Sequence, residues 1–388
     1  MRILTFLHSF EPGGVERVAL RLVRQWRREG IDAPLFLGRT DGAMREELGA
    51  GLPCHVPRQP AFSVAAFETL WMIATLPAVI RRMRPDALFC AGNSYAVVAV
   101  AMKLLFGRAC PPILAKISND LERLDMPWPA RIAYRLWLRI QGRFIDHFVA
   151  MAPGLEQEIT QWVQPRAGAI SVIPSPALSG TQIDRLRAAS ATQASFTLGV
   201  GRRFVAIGRL ARQKNFSLML RAFAAGSHGE DRLVIHGDGP ERKALAALAA
   251  RLGIEERVDF AGHVPDASAQ LRPTDILLLS SDFEGVPAAV LEALAVGMPV
   301  IATDCSRAMR PLLRDGALGE LVPPGDVHAL ARAIAVGRAL VQDPAASLEQ
   351  ARRFTLEHVA QAYVDRFAAL SRRRPRARAT PITMTSSI

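Results

Sequence analysis

The sequence predicts an α/β protein made of two Rossmann-like domains, each a parallel sheet covered by helices. Three observations carry this reading. Short apolar runs recur with helical stretches between them: Ile3–Leu7, Ile113–Ile117, Phe204–Gly208, Leu233–His236, Asp275–Ser280 and Pro299–Thr303. The chain has 388 residues, half of them hydrophobic, which is enough to bury two cores. A polar, Ala/Ser-rich and weakly patterned stretch at 177–198, entered through the prolines of Val172–Pro176, separates the two sets of strands. The expected organisation is a first domain over 1–176, a linker over 177–198 and a second domain over 199–353. A terminal helix at 354–370 and a basic tail at 371–388 follow.

In the first half, Ile3–Leu7 is the opening strand and HSFEPGGVERV follows it. His8 either hydrogen-bonds in the cleft or simply ends that strand. Gly13 and Gly14 fall between the strand and a helix beginning near Val15, where glycine lets backbone N–H groups approach a ligand and equally makes a tight turn. Ile113–Ile117 is a further strand, followed by Ser118-Asn119-Asp120. Downstream, Arg131, Arg135, Arg139 and Arg143 recur every four residues and stack on one helix face, with Trp137, Leu138 and Phe144 elsewhere on that helix.

The second half repeats one pattern, strand then polar or glycine-rich loop. Phe204–Gly208 leads to Arg209 and Lys214, cations that suit a diphosphate. Leu233–His236 leads to Gly237, Asp238, Gly239 and Pro240. Val258-Asp259-Phe260 leads to Gly262, His263 and Val264. The densest stretch is Glu284–Asp304, EGVPAAVLEALAVGMPVIATD. Asp275–Ser280 is its buried strand and Ser281–Gly285 its loop. Pro287 sits where a first helical turn tolerates it, Gly297 and Pro299 stop the helix, and Pro299–Thr303 is the next strand. Glu284 stands in the loop and Glu292 on the helix, a spacing that suits a ligand with hydroxyls at both ends. The helix N-terminus between them favours a phosphate. Loops that all follow strands line one edge of a sheet, where open α/β sheets bind ligands.

These residues resemble the nucleotide-sugar glycosyltransferases of the large retaining family 4, group 1, with the two-domain GT-B architecture. The resemblance is carried by GRLARQKNF at 208–216, GDGPER at 237–242, VDFAGHV at 258–264, the seven-residue gap from Glu284 to Glu292, GELVPPGD at 319–326 and PGGVERVALRLVRQW at 12–26. It covers nearly the whole chain and is strongest over 204–330. It implies two domains facing each other across a cleft and a terminal helix packing back on the first. The donor side is expected to comprise Gly13, Gly14, Gly208, Arg209, Lys214, Gly237, Asp238, Gly239, His263, Val264, Glu284, Gly285, Val286, Pro287 and Glu292. His8, Asn119 and Asp120 are expected on the acceptor or sugar side. Two departures stand out. Asn119 takes the place of the family's frequent histidine, and an amide does not titrate near neutral pH. Cys305-Ser306-Arg307 replaces a glycine pair followed by an acid.

The resemblance implies hexose transfer from a nucleotide-diphosphate sugar to a glycan or lipid-linked acceptor, with retention of configuration, in polysaccharide or lipopolysaccharide biosynthesis. Glu284 then positions the sugar, Glu292 holds the ribose, and Arg209 with Lys214 neutralises the leaving diphosphate; these three, Glu284, Arg209 and Lys214, are the expected catalytic set. No D-x-D-like motif appears, so no divalent metal or cofactor is expected. Two alternatives remain: a sugar-nucleotide epimerase or phosphorylase of the same fold, and a non-catalytic sugar-nucleotide or membrane-binding module. A phosphorylase needs a pyridoxal-phosphate lysine, and the second half offers only Lys214 and Lys243, both in phosphate-like loops.

Composition excludes several classes. Cys54, Cys90, Cys110 and Cys305 are scattered without metal-ligand spacing and read as thiols of a reducing compartment. The start of the chain lacks the pattern of a signal peptide. No apolar stretch reaches the ~18 residues that spanning a bilayer needs; Leu70–Ile80 is interrupted by Pro77, and Ala96–Phe106 contains Lys103. A cytoplasmic protein is expected, peripheral on the inner membrane face. The net charge of +12 is uneven: 23 Lys and Arg face 16 Asp and Glu in residues 1–195, 20 face 20 in 196–370, and the tail adds five arginines. The expected partner of that excess is an anionic membrane met by the Arg131–Phe144 helix. No nucleic-acid signature accompanies it.

Overall fold

A computed structural model describes residues 1–11, 13–42, 44–60, 63–117, 121, 126–193, 201–264, 267–337 and 343–372. Among them, seven parallel strands form the first sheet. They are β1 (Ile3–Leu7), β2 (Leu35–Leu37), β3 (Cys54–His55), β4 (Ala87–Cys90), β5 (Ile113–Ile117), β6 (His147–Ala150) and β7 (Ile170–Val172), in the order β3-β2-β1-β4-β5-β6-β7. Helices α1 (Gly14–Arg28), α2 (Glu68–Met83), α3 (Ala96–Phe106), α4 (Trp128–Phe144) and α5 (Leu155–Glu158) connect them. The crossovers from β3 to β4, β4 to β5 and β5 to β6 run the same way along the sheet. Right-handed connection therefore puts α2, α3 and α4 on one face, and the reversed step from β1 to β2 puts α1 on the other.

The second sheet has the order β10-β9-β8-β11-β12-β13, again all parallel. Its strands are β8 (Arg203–Ile207), β9 (Arg232–His236), β10 (Val258–Gly262), β11 (Ile276–Leu279), β12 (Val300–Thr303) and β13 (Glu320–Val322). With it come α6 (Gly180–Gln193), α7 (Phe216–Gly226), α8 (Arg242–Arg251), α9 (Ala288–Ala295), α10 (Met309–Leu312), α11 (Val327–Val336) and α12 (Pro344–Arg353), and α13 (Leu356–Arg372) follows. Both sheets are buried on both faces, which is why their strands read as continuous apolar runs.

Helix α13 belongs to the first domain's core. Tyr363 and Phe367 pack with Trp26 of α1 and Phe89 of β4, ring centroids 5.3 to 6.4 Å apart, and the Trp26 indole N–H donates to the Ala360 carbonyl at 3.0 Å. The chain crosses between domains twice, and the two crossings are bonded together. Ala177 N–H donates to the Phe354 carbonyl at 3.0 Å and Leu356 N–H to the Leu178 carbonyl at 2.9 Å.

Two stretches differ from the sequence reading. The segment 177–198, read as a weakly patterned linker, contains α6. Its Ile183 and Leu186, with Leu178, are buried against Leu271, Leu291 and Leu294 of the second domain. Three apolar contacts among small Ala and Ser residues make too sparse a stripe to register as an amphipathic period. The apolar run through Pro77 stays helical: α2 continues past the proline despite the lost backbone donor, held by the burial of Met72, Leu76 and Ile80. No helix among the described residues is long and apolar enough to cross a membrane.

Candidate active site

In both sheets the strand order reverses at one pair of neighbours, β1/β4 in the first and β8/β11 in the second. Loops leaving the carboxyl ends of such a pair diverge and open a crevice. The two edges face each other. Arg307, after β12, forms an ion pair with the buried Glu158, after β6, whose other oxygen accepts the Leu121 N–H at 2.9 Å. The site therefore lies in a cleft between the domains.

On the second domain's side, the loop after β8 carries Gly208, Arg209 and Lys214, and the loop after β11 carries Ser281 to Gly285. The structure brings Lys214 and Glu284 together as an ion pair. Ser281 Oγ donates to the same Glu284 oxygen at 2.8 Å. The two loops are stitched by further bonds. Asp282 N–H donates to the Gln213 carbonyl at 2.9 Å, the Gln213 amide to the Phe283 carbonyl at 2.9 Å, and the Asn215 amide to Asp282 at 2.7 Å. Thr303 Oγ1 fastens the Ser281 carbonyl from β12 at 2.7 Å. Arg209 is exposed, and among the described residues its guanidinium makes no hydrogen bond or ion pair, which leaves its five donors open to a ligand.

Glycine has different work at different positions. Gly237 sits at φ +152°, and a Cβ there would lie 1.9 Å from the Gly208 carbonyl oxygen. At Gly239 a Cβ would lie 2.4 Å from the Leu210 carbonyl oxygen. Both let the loop after β9 press against the loop after β8. Gly285, by contrast, has open space over its α-carbon, and Ser306 Oγ donates to its carbonyl at 3.1 Å. Pro287 is the buried N-cap residue of α9, Val286 is half-buried beside it, and Glu292 is half-buried one turn into that helix. Asp238 caps its own loop, accepting Gly239 N–H at 2.7 Å. His263 is exposed and Val264 half-buried, just past the end of β10.

On the first domain's side, Gly13 is extended, and a Cβ would meet the Glu16 carboxylate at 2.0 Å, whereas Gly14 has open space. Glu16 accepts the Tyr95 hydroxyl at 2.6 Å. Tyr95 lies in the loop after β4, so this contact spans the first switch point. The His8 ring packs on Tyr95 with centroids 4.6 Å apart and stands 3.9 Å from Glu68. Burial lowers the His8 pKa below its usual 6.5, with Glu68 and Glu16 partly opposing. The imidazole is therefore neutral near pH 7 and able to accept as well as donate. Glu68 in turn binds Arg39, which also holds Asp41 at 2.8 Å and Glu11 at 3.1 Å. Lys116, one residue from the end of β5, is 3% exposed, and burial lowers its ammonium to about 8. Asn119 and Asp120 lie outside the described residues.

Sequence reasoning missed Glu16, Arg39, Glu68, Tyr95, Glu158 and Ser281. Ser281 had a signal in its position three residues before Glu284, and Lys116 interrupts an otherwise apolar strand. The others are isolated polar residues whose meeting depends on strand order. The four cysteines are free, three of them buried, and burial raises the Cys305 thiol beside this site to about 11. Among the described residues no three His, Cys, Asp or Glu side chains gather into a metal-holding group.

Comparison with known proteins agrees with this geometry. Residues 201–336 match the family described as glycosyl transferases group 1, and residues 12–177 match glycosyltransferase family 4. The lipopolysaccharide core biosynthesis glycosyltransferase LpsE of Rhizobium meliloti is 27% identical over 333 residues, covering 85% of this chain and 87% of the relative. Among solved structures, the lipopolysaccharide outer core galactosyltransferase WaaB in its apo form superposes with a TM-score of 0.73 at 21% identity, over 95% of this chain and 99% of that one. Anabaena Alr3699/HepE in complex with UDP and glucose superposes at 0.64 and 22% identity, over 95% and 100%. Two facing parallel-sheet domains, crevices at both switch points and matches over both halves make the chain a member of the group 1, family 4 glycosyltransferases, with the GT-B fold.

Proposed function

We propose that this protein transfers a hexose from a nucleotide-diphosphate sugar to a lipid-linked or glycan acceptor in bacterial surface polysaccharide synthesis, with retention of configuration. The observation that carries the reading is the Lys214–Glu284 pair at the second switch point, with Arg209, which makes no hydrogen bond or ion pair among the described residues, on the same loop as Lys214. Two cations meet the diphosphate, and Lys214 has N–H donors left for a phosphate oxygen while one contacts Glu284. Glu284 keeps a second oxygen for sugar hydroxyls. Glu292 on α9 holds the ribose, and the N-terminus of α9 faces the phosphates. As the leaving diphosphate gains charge, Arg209 and Lys214 stabilise it, and no divalent metal is required. The acceptor hydroxyl enters from the first domain, where neutral His8, Tyr95 and Glu16 offer hydrogen-bonding groups. Arg307 and Glu158 join the domains around the bound substrates. The lipopolysaccharide relative named above supports the acceptor class, and the solved relative with UDP and glucose puts uridine donors first.

The test is a thermal-shift screen with UDP-, GDP- and ADP-sugars, followed by product analysis with and without acceptor glycan. A donor at 100 times its dissociation constant stabilises the fold by about 2.7 kcal/mol. Transfer that persists in a chelator, with the product's anomeric configuration retained by NMR, is expected. Monosaccharide release without acceptor, or activity abolished by the chelator, overturns the reading.

A further inference from the structure

Helix α4 presents an apolar row outward. Leu138 is 1% exposed and Gly142 is buried against the Val163 backbone, so this face of the helix is turned inward, with Tyr134, Trp137 and Phe144 half-buried around it. On the opposite side Trp128, Ile132, Leu136 and Ile140 are 67%, 47%, 59% and 43% exposed. A helix covering a sheet ordinarily turns polar residues to water, as α1 does with Arg17 and Arg28. Helix α3, beside α4 on the same face of the sheet, exposes Val97, Leu104 and Leu105. Seven of the twelve exposed large apolar side chains among the described residues thus stand on these two helices. That concentration marks a covered surface rather than scattered exposure.

Charge identifies what covers it. Neither α3 nor α4 contains an aspartate or glutamate. Arg139 and Arg143 flank the apolar row. Arg135 is spent on the Trp162 ring, 4.3 Å from its centroid. Between the C-terminal ends of the two helices opens a cavity of about 620 Å³ lined by Lys103, Arg108, Arg143 and Arg166. Its one carboxylate, Asp146, is held by Lys103 at 2.5 Å. We propose that the outward face of α3 and α4 docks on an anionic phospholipid bilayer, with the apolar row in the interface and the arginines among the headgroups. Because a crossover helix runs antiparallel to its strand, Trp128 stands at the carboxyl edge of β5, the edge that faces the cleft. A bilayer on this face therefore reaches the acceptor side. The surface rests on observations separate from the donor site, so donor binding serves as an independent control.

Vesicle flotation tests this with phosphatidylcholine alone and with added phosphatidylglycerol. The wild type, Leu136→Gln/Ile140→Gln, Arg139→Gln/Arg143→Gln and, on the opposite face, Arg27→Gln/Arg28→Gln are compared. Binding is expected only with phosphatidylglycerol and should weaken at high salt. The arginine pair should lower partitioning roughly thirtyfold and the apolar pair at least about tenfold, with the α1 control and the melting temperature unchanged. Equal binding to neutral vesicles, no binding at low salt, an equal loss in the α1 control, or a concentration-dependent dimer abolished by Leu136→Gln/Ile140→Gln refutes it; the last assigns the face to a second copy of the chain.

Discussion

Replacing Lys214 by Met isolates the ion pair at the proposed donor crevice. Among the described residues, the change leaves the Glu284 carboxylate with only the Ser281 hydroxyl, at a side chain that is 11% exposed. Breaking a fully buried pair from one side costs about 3–5 kcal/mol, and an exposed pair is worth about 0–1 kcal/mol. Lys214 is 23% exposed, so the pair falls between these limits, and about 2 kcal/mol is expected. For a domain of this size that corresponds to a fall of roughly 4–8 °C in the second domain's calorimetric transition. Adding Glu284→Gln removes the stranded charge. The double variant should therefore recover part of the loss, with a coupling of about 1–2 kcal/mol. Turnover should not recover, because the cation proposed to meet the diphosphate is gone, and kcat/KM is expected to fall about 10²–10³-fold in both. Strictly additive melting shifts, or near-normal turnover in Lys214→Met, would refute the reasoning.

Glu292→Ala should weaken binding of free nucleoside diphosphate, whereas Glu284→Ala should chiefly impair transfer; titration calorimetry beside steady-state kinetics separates the two, and the opposite pattern reverses the assignment. His236, 3% exposed with neither ring nitrogen hydrogen-bonded among the described residues, has its pKa lowered by burial and by Arg203. The unfolded ring is then the first to take a proton, so stability is complete above about pH 6.5 and falls as the pH drops through that value. His8 and His55 act in the same direction. His236→Asn should flatten the dependence of melting temperature on pH between 7.5 and 5.5, and an unchanged slope rejects this. Trp26→Ala removes the ring that joins α1, β4 and α13, and should cost about 3–5 kcal/mol and expose α13 to limited proteolysis.

The residues alone determined a large part of this protein. The ranges of β1 and β5, the loops after β8, β9 and β11, and the stripe of Val359, Tyr363 and Phe367 are local patterns of period and punctuation, set by which side chains avoid water and where glycine or proline interrupts. That Arg209, Lys214, Glu284 and Glu292 follow strands, and so share one edge, also follows from alternating strand and helix. Other features were decided only in three dimensions. Lys214 and Glu284 are 70 residues apart and meet because β8 and β11 are neighbours at the reversal of strand order, which no local pattern encodes. Gly237 and Gly239 look like phosphate-loop glycines, yet the backbone of residues 208–210 is what they make room for. Tyr95 meets Glu16 through the corresponding reversal at β1 and β4. Periodicity located α4 and its arginines, but which apolar face it buries depends on the helices and sheet around it. Burial is a property of neighbours, and neighbours are chosen by topology rather than by adjacency in the chain.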